Sequence, residues 1–174
     1  MKKTILTFGL ISGGIMATMM VITGLIGKNM GFDKAEILGY STMVLAGIMI
    51  FVGVKSYRDN TNGGFITFGK AFKISMLIVV VSSMIYVATW MILFNTIFKD
   101  FMEQYGAAMV EKAKASGLGA EQLAAKKEEM LKFKEMYKNP FFRAAITFME
   151  PLPVGVIMSL IASFVLKKKQ PSVV

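Results

Sequence analysis

The sequence predicts an all-α integral membrane protein. The expected fold is a bundle of four transmembrane helices with an extracytoplasmic amphipathic helical hairpin between the third and fourth spans. Three observations predict it: four long apolar runs, the uneven placement of Lys and Arg, and a mixed-charge stretch with helical period. A soluble domain is about 25% charged; this chain of 174 residues is 18% charged and 55% hydrophobic, which also excludes a disordered protein. Residues 4–27, 37–54 and 74–98 are uncharged runs of 24, 18 and 25 residues, and residues 144–166 carry a single charge, Glu150. About 20 apolar residues rising ~1.5 Å each cross ~30 Å of hydrocarbon. The four runs therefore define one membrane domain, 1–174, with an outer hairpin, 99–139, inserted in it.

The first run follows Met1-Lys2-Lys3 and could be mistaken for a secretory signal. A signal core is only about 7–15 residues and ends in a small-x-small site. This run is longer and offers no such site, so an uncleaved first helix is expected. A short neutral loop, 28–36, leads to the second span. The next loop contains Gly64-Phe65-Ile66-Thr67-Phe68-Gly69-Lys70-Ala71, which fits a phosphate-binding loop until its last position. There a Ser or Thr hydroxyl should meet magnesium, and Ala71 stands instead. Asn62-Gly63-Gly64 reads as a turn, with Phe65 and Phe68 at the membrane interface.

After the third span, Phe101, Met102, Tyr105, Met109 and Ala113 recur at three- and four-residue steps. Gly117 suits a left-handed helix end. Leu123, Met130, Phe133 and Tyr137 mark one face of a second helix, which Asn139-Pro140 stops. The hairpin reads either as a continuation of the neighbouring spans into water or as a cap on a partner or lipid surface. Its mixed charges favour the first.

The fourth span must begin before Glu150, because a start after Pro153 would leave too few residues to cross. Pro151 and Pro153 remove amides that would have met the carbonyls of Thr147 and Met149. An opened helix beside an acid is tolerated only where protein or a water-filled cavity covers it. Glu150 is thus expected to be buried in the outer part of the membrane, and Glu150, Pro151 and Pro153 are the candidate functional residues. The acid could pair with Arg143, or stand protonated against Asn95 or Thr96.

Orientation follows the positive charges. Lys2, Lys3, Lys55, Arg58, Lys70, Lys73, Lys167, Lys168 and Lys169 share one side with a single acid, Asp59. Both termini are expected in the cytoplasm, and the hairpin outside. The net charge of +9 is mostly this topology signal. Nucleic-acid binding would need a basic stripe on a soluble face, so no nucleic acid is expected.

The chain has no Cys and no His. That excludes disulfides, thiol chemistry and ordinary zinc sites. Met16, Met19 and Met20 offer thioethers, soft ligands for copper(I). Methionine is also an adaptable apolar filler, and no second ligand type supports a metal. Gly9, Gly13 and Ala17 form a small-residue stripe at four-residue steps on the first helix, and Gly155, Ser159 and Ser163 form one on the fourth. Such faces let membrane helices approach closely. The first and fourth helices are expected to pack on each other or on another protomer.

The glycine-rich first helix (Gly9, Gly13, Gly14), the Gly53-x-Lys55-x-Tyr57-Arg58-Asp59 exit from the second, the Asn62–Lys73 segment and Glu150-Pro151-Leu152-Pro153-Val154-Gly155 together resemble a bacterial membrane-protein family, domain of unknown function 4199. The resemblance covers nearly the whole chain and implies a small multi-pass inner-membrane protein with no established activity. It carries over no catalytic or binding residue. Two function classes follow. One is a non-catalytic scaffold or regulatory membrane component. The other is a small transporter or channel subunit with its polar site at Glu150, which a thin four-helix bundle would need a homo-oligomer to build. One acid without His, Cys or a second acid is too little machinery for an enzyme. No catalytic residue, cofactor, metal or nucleotide is expected. The expected partners are the lipid bilayer and either a second copy or another membrane protein.

Overall fold

A computed structural model of the chain describes residues 1–26 and 31–170; Gly27 and Lys28, placed above at the end of the first span and in the short loop, lie outside them. The helices are α1 (Lys2–Ile26), α2 (Phe32–Thr61), α3 (Phe68–Thr96), α4 (Phe101–Ala115), α5 (Ala120–Lys138), α6 (Pro140–Met149) and α7 (Leu152–Leu166). Four helical stretches are long and apolar enough to cross a membrane: α1, α2, α3 and α6 with α7 taken together.

Several helices outrun their apolar cores, because backbone hydrogen bonding continues through polar residues until something caps it. α2 runs on past Lys55 and Arg58 to Thr61 and ends at the turn where Gly63 and Gly64 take φ 65° and 84°. α3 starts six residues before its expected span, capped by the Thr67 hydroxyl, which accepts from the Lys70 amide at 3.4 Å. It stops at Thr96, where the amides of Ile97 and Phe98 both turn back to the Leu93 carbonyl at 2.8 and 2.9 Å.

α1 and α7 occupy opposite corners of the bundle, each packed on α2 and α3, which also meet across the middle. The half nearer the termini is close-packed around Ile5, Ile50, Val54, Ile74, Ile78 and Ala162. The expected pairing of the first and fourth helices is corrected here: both small-residue stripes face α3. A β-carbon added at Gly9 would stand 2.6 Å from Val81, at Gly13 2.6 Å from Ile85, and at Gly155 2.5 Å from Val79. The reason lies in α3, whose β-branched Val79, Val81 and Ile85 protrude on both sides and need a flat partner on each. Ala17 lies half-buried one turn beyond Gly13. On the fourth helix the buried line continues across the break, through Arg143, Thr147, Pro151, Gly155, Ser159 and Ser163 at constant four-residue steps.

At the end near the termini, Ile66 and Lys168 exchange backbone hydrogen bonds of 3.0 and 2.9 Å, tying the tail to the α2–α3 turn. Arg58 Nη1 donates to the Leu166 carbonyl at 3.2 Å. The phosphate-loop look-alike is used up in this knot. The Ile66 amide goes to Lys168, the Lys70 amide to Thr67, and the Lys70 ammonium to Asn62 Oδ1 at 2.6 Å.

α4 and α5 form an antiparallel hairpin turned at Gly117, φ 77°. Lys134 bridges to Glu103 at 2.7 Å and holds its carboxyl below the usual carboxylate range. Phe32 of α2 meets Phe101 and Tyr105 edge-on, docking the hairpin on the bundle.

Candidate functional site

Asn139 begins the fourth helix. Its Oδ1 accepts from the amide of Phe141 at 2.9 Å, and Pro140 fits the first helical position, where no amide partner is needed. The helix then breaks at Glu150-Pro151. Among the described residues no backbone hydrogen bond crosses the break; the next one runs from Gly155 to the Pro151 carbonyl at 2.9 Å. The missing proline amides explain this, as the spacing predicted. Pro151 is buried against α3, while Pro153 points outward.

Glu150 is not enclosed by the bundle. The buried line runs through Thr147 and Pro151, so the side chain between them is turned aside, and Glu150 lies exposed on the flank of α3. Its Oε2 accepts a hydrogen bond from the Tyr86 hydroxyl at 2.9 Å. Arg143 does not pair with it. Nor do Asn95 and Thr96, which bond back to Met91 and Ile92 of their own helix at 2.8 and 2.9 Å.

Arg143 is buried without a carboxylate. Its guanidinium lies over the Phe94 ring at 4.1 Å, with Nε on the Met91 sulfur at 3.3 Å and Nη1 donating to the Tyr137 carbonyl at 3.4 Å. Trp90 Nε1 donates to the Tyr137 hydroxyl at 2.8 Å. Burial pushes the Tyr137 phenol above its ordinary value, so it stays neutral there. The Thr147 hydroxyl faces Tyr137 without closing a hydrogen bond of good geometry. This cluster ties α3, α5 and α6 together.

α6 follows α3 and α5, whereas α7 below the break packs on both α2 and α3. At the hairpin end, a cavity of about 430 Å³ lies between α1, α2, α3 and the start of α4. Met16, Met19, Met20, Met43, Phe98 and Phe101 make its wall largely apolar; Thr23, Tyr86, Asp100 and Gln104 add polar groups. The methionine cluster of the first helix thus lines this cavity.

Of the residues singled out in the sequence, the structure gathers Glu150 and Pro151 beside α3. Gly9, Gly13 and Gly155 are close-approach points on the same helix, at other levels. Sequence reasoning missed Tyr86 and Trp90, and read Tyr137 only as part of the apolar face of the hairpin's second helix. A tyrosine and the chain's one tryptophan, a turn apart inside an apolar run, were the available signal, since a buried phenol or indole needs a polar partner.

No curated protein and no solved structure matches this chain. A family model, described as protein of unknown function DUF4199, matches residues 7–168, nearly the whole molecule, and the chain belongs to that family.

Proposed function

We propose that this protein is a non-catalytic, multi-pass component of the bacterial inner membrane that acts by holding an amphiphile in the cavity beneath its outer hairpin. The cavity carries this reading. Its size lies within the roughly 300–1,000 Å³ of small-molecule sites, and it has their character, apolar with a few convergent polar groups. It sits at one end of the four spans, the level at which a lipid-derived molecule has both its tail and its head to place. The half toward the termini is close-packed around Ile50, Val54, Ile74 and Ile78. The orientation rests on nine positive charges against Asp59 at the opposite end.

Gly39 provides the test. It lines the cavity, and a β-carbon added there meets nothing within 4 Å. Gly39→Trp should fill the space and leave the fold intact. Mass spectrometry of protein released from native membrane should find an amphiphile on the wild type, and at least about tenfold less on the variant. Equal retention by both would end this reading.

A second reading, a transporter or channel subunit working through Glu150, is favoured by the broken helix beside an acid. It needs a homo-oligomer. Glu150→Gln should then fold normally and lose the cellular phenotype; an intact phenotype with normal folding counts against it.

A further inference from the structure

The cavity beneath the hairpin has a sorted lining. Its inner end is apolar: Met16 and Met43 are buried there in one cluster, with Tyr86 packed on it. Its outer end lies past the last turn of α3, where Phe98 meets α1; a β-carbon added at Gly24 would stand 2.8 Å from the Phe98 ring. From Tyr86 to Thr96 the helix rises roughly 15 Å. A chain and a head can therefore lie at different levels of one cavity.

Aromatic rings gather toward the outer end. Between centroids, Trp90 stands 4.9 Å from Phe101 and 5.4 Å from Phe98, and Phe32 stands 5.8 Å from Phe101. All four rings line the cavity. Two of the hydroxyls in the wall are already committed, Thr42 to the Leu38 carbonyl at 2.8 Å and Tyr86 to Glu150. Among the described residues Asp100 is the one charged side chain in the wall, and no Lys or Arg lines it. Asp100 precedes the first turn of α4, where an aspartate ordinarily accepts from the helix amides, yet its carboxylate caps nothing. The amides that open α4 are taken by backbone carbonyls instead: Phe101 donates to Phe98 at 3.0 Å, and Glu103 and Gln104 to Asp100 at 3.1 Å. The helix end thus offers little to an anion. Other hairpin charges do pair, Glu103 with Lys134 and Lys112 with Asp33.

We infer, resting on the cavity reading proposed above, that the amphiphile carries a cationic, alkylated ammonium head, seated between Asp100 and the rings of Trp90, Phe98, Phe101 and Phe32. Aromatic rings attract cations, and clusters of them hold quaternary ammonium groups. Alkyl groups spread the charge and bring no hydrogen-bond donors into an apolar wall, whereas a primary ammonium brings three. A carboxylate or phosphate head would meet no cation in the wall and would face Asp100. A neutral head would leave that carboxylate without a counter-charge. Asp100 is exposed, so the head keeps water on its outer side. The chain then lies among the methionines, whose unbranched thioethers adapt to it.

The test is native mass spectrometry of the full chain in nonionic detergent, offered dodecyltrimethylammonium and dodecanoate together at equal concentration. Wild type should retain the ammonium probe about tenfold over the carboxylate. Asp100→Asn removes a charge that caps nothing, so the fold should survive, and the preference should fall to within about threefold. Asp100→Lys should reverse it. Gly39→Trp, which fills the cavity, should retain neither probe. If wild type holds both probes alike or favours dodecanoate, while Gly39→Trp holds neither, the cavity takes an amphiphile and the cationic head is wrong. An undiminished ammonium preference in Asp100→Asn also overturns it. If Gly39→Trp holds the probes as well as wild type does, the cavity reading falls, and the cationic head falls with it.

Discussion

Gly155→Leu should be the most damaging single substitution in the bundle. Even the β-carbon would stand 2.5 Å from Val79 Cγ1, and the rest of a leucine has nowhere to go between α7 and α3. Val79 is itself buried and β-branched, so it cannot swing aside. Overpacking typically costs about 1–3 kcal/mol, and this site belongs at or above the top of that range. Gly13→Leu, against Ile85 at 2.6 Å, should follow closely. Gly14→Leu is the control, because a β-carbon there meets nothing within 4 Å; it should change stability by no more than about 0.5 kcal/mol. The single tryptophan, Trp90, gives a fluorescence readout of unfolding in mild detergent. Equal effects at Gly13 and Gly14 would mean that the small-residue stripe does not face α3.

Arg143→Ala should come second. It removes the cation over the Phe94 ring, the donor to the Tyr137 carbonyl, and the stem packed along Met91. A desolvated cation–π contact is worth about 2 kcal/mol and a hydrogen bond from a charged group about 1.5–3 kcal/mol. After the relief of a buried charge, a net loss of about 3 kcal/mol is expected. Arg143→Met keeps the packed stem and removes a buried charge that has no acid partner, so its loss should stay under about 1 kcal/mol. Both should be followed through Trp90, whose indole bonds Tyr137 beside the lesion. If Met proves as damaging as Ala, the guanidinium itself holds α6 to the bundle.

Much of the fold was legible in the residues. The apolar runs marked all four long helical stretches, because crossing hydrocarbon demands length and lack of charge together. Gly117 announced the hairpin turn, since a left-handed helix end strongly favours glycine, and Pro151 with Pro153 announced the break. What could not be read was the partner of each face. Small-residue stripes say that a close neighbour exists, and nothing in Gly9-x-x-x-Gly13 says that the neighbour is α3. Arg143 and Glu150 share a face by spacing, yet Glu150 turns to Tyr86 and Arg143 to Phe94, because the break re-aims the acid. The cavity was illegible for a similar reason. It depends on how far apart α1, α2, α3 and the start of α4 stand at the hairpin end, which is a matter of tertiary packing.

Everything proposed here depends on four spans with the hairpin opposite the termini. The absence of native cysteine makes the direct measurement clean. Single cysteines at Ser116, in the hairpin turn, and at Asn60, at the end of α2, should be probed in intact cells with a membrane-impermeant maleimide. Ser116→Cys should label in intact cells, and Asn60→Cys only after permeabilisation. Labelling of both positions from the same side, or the reverse pattern, would contradict the proposed topology.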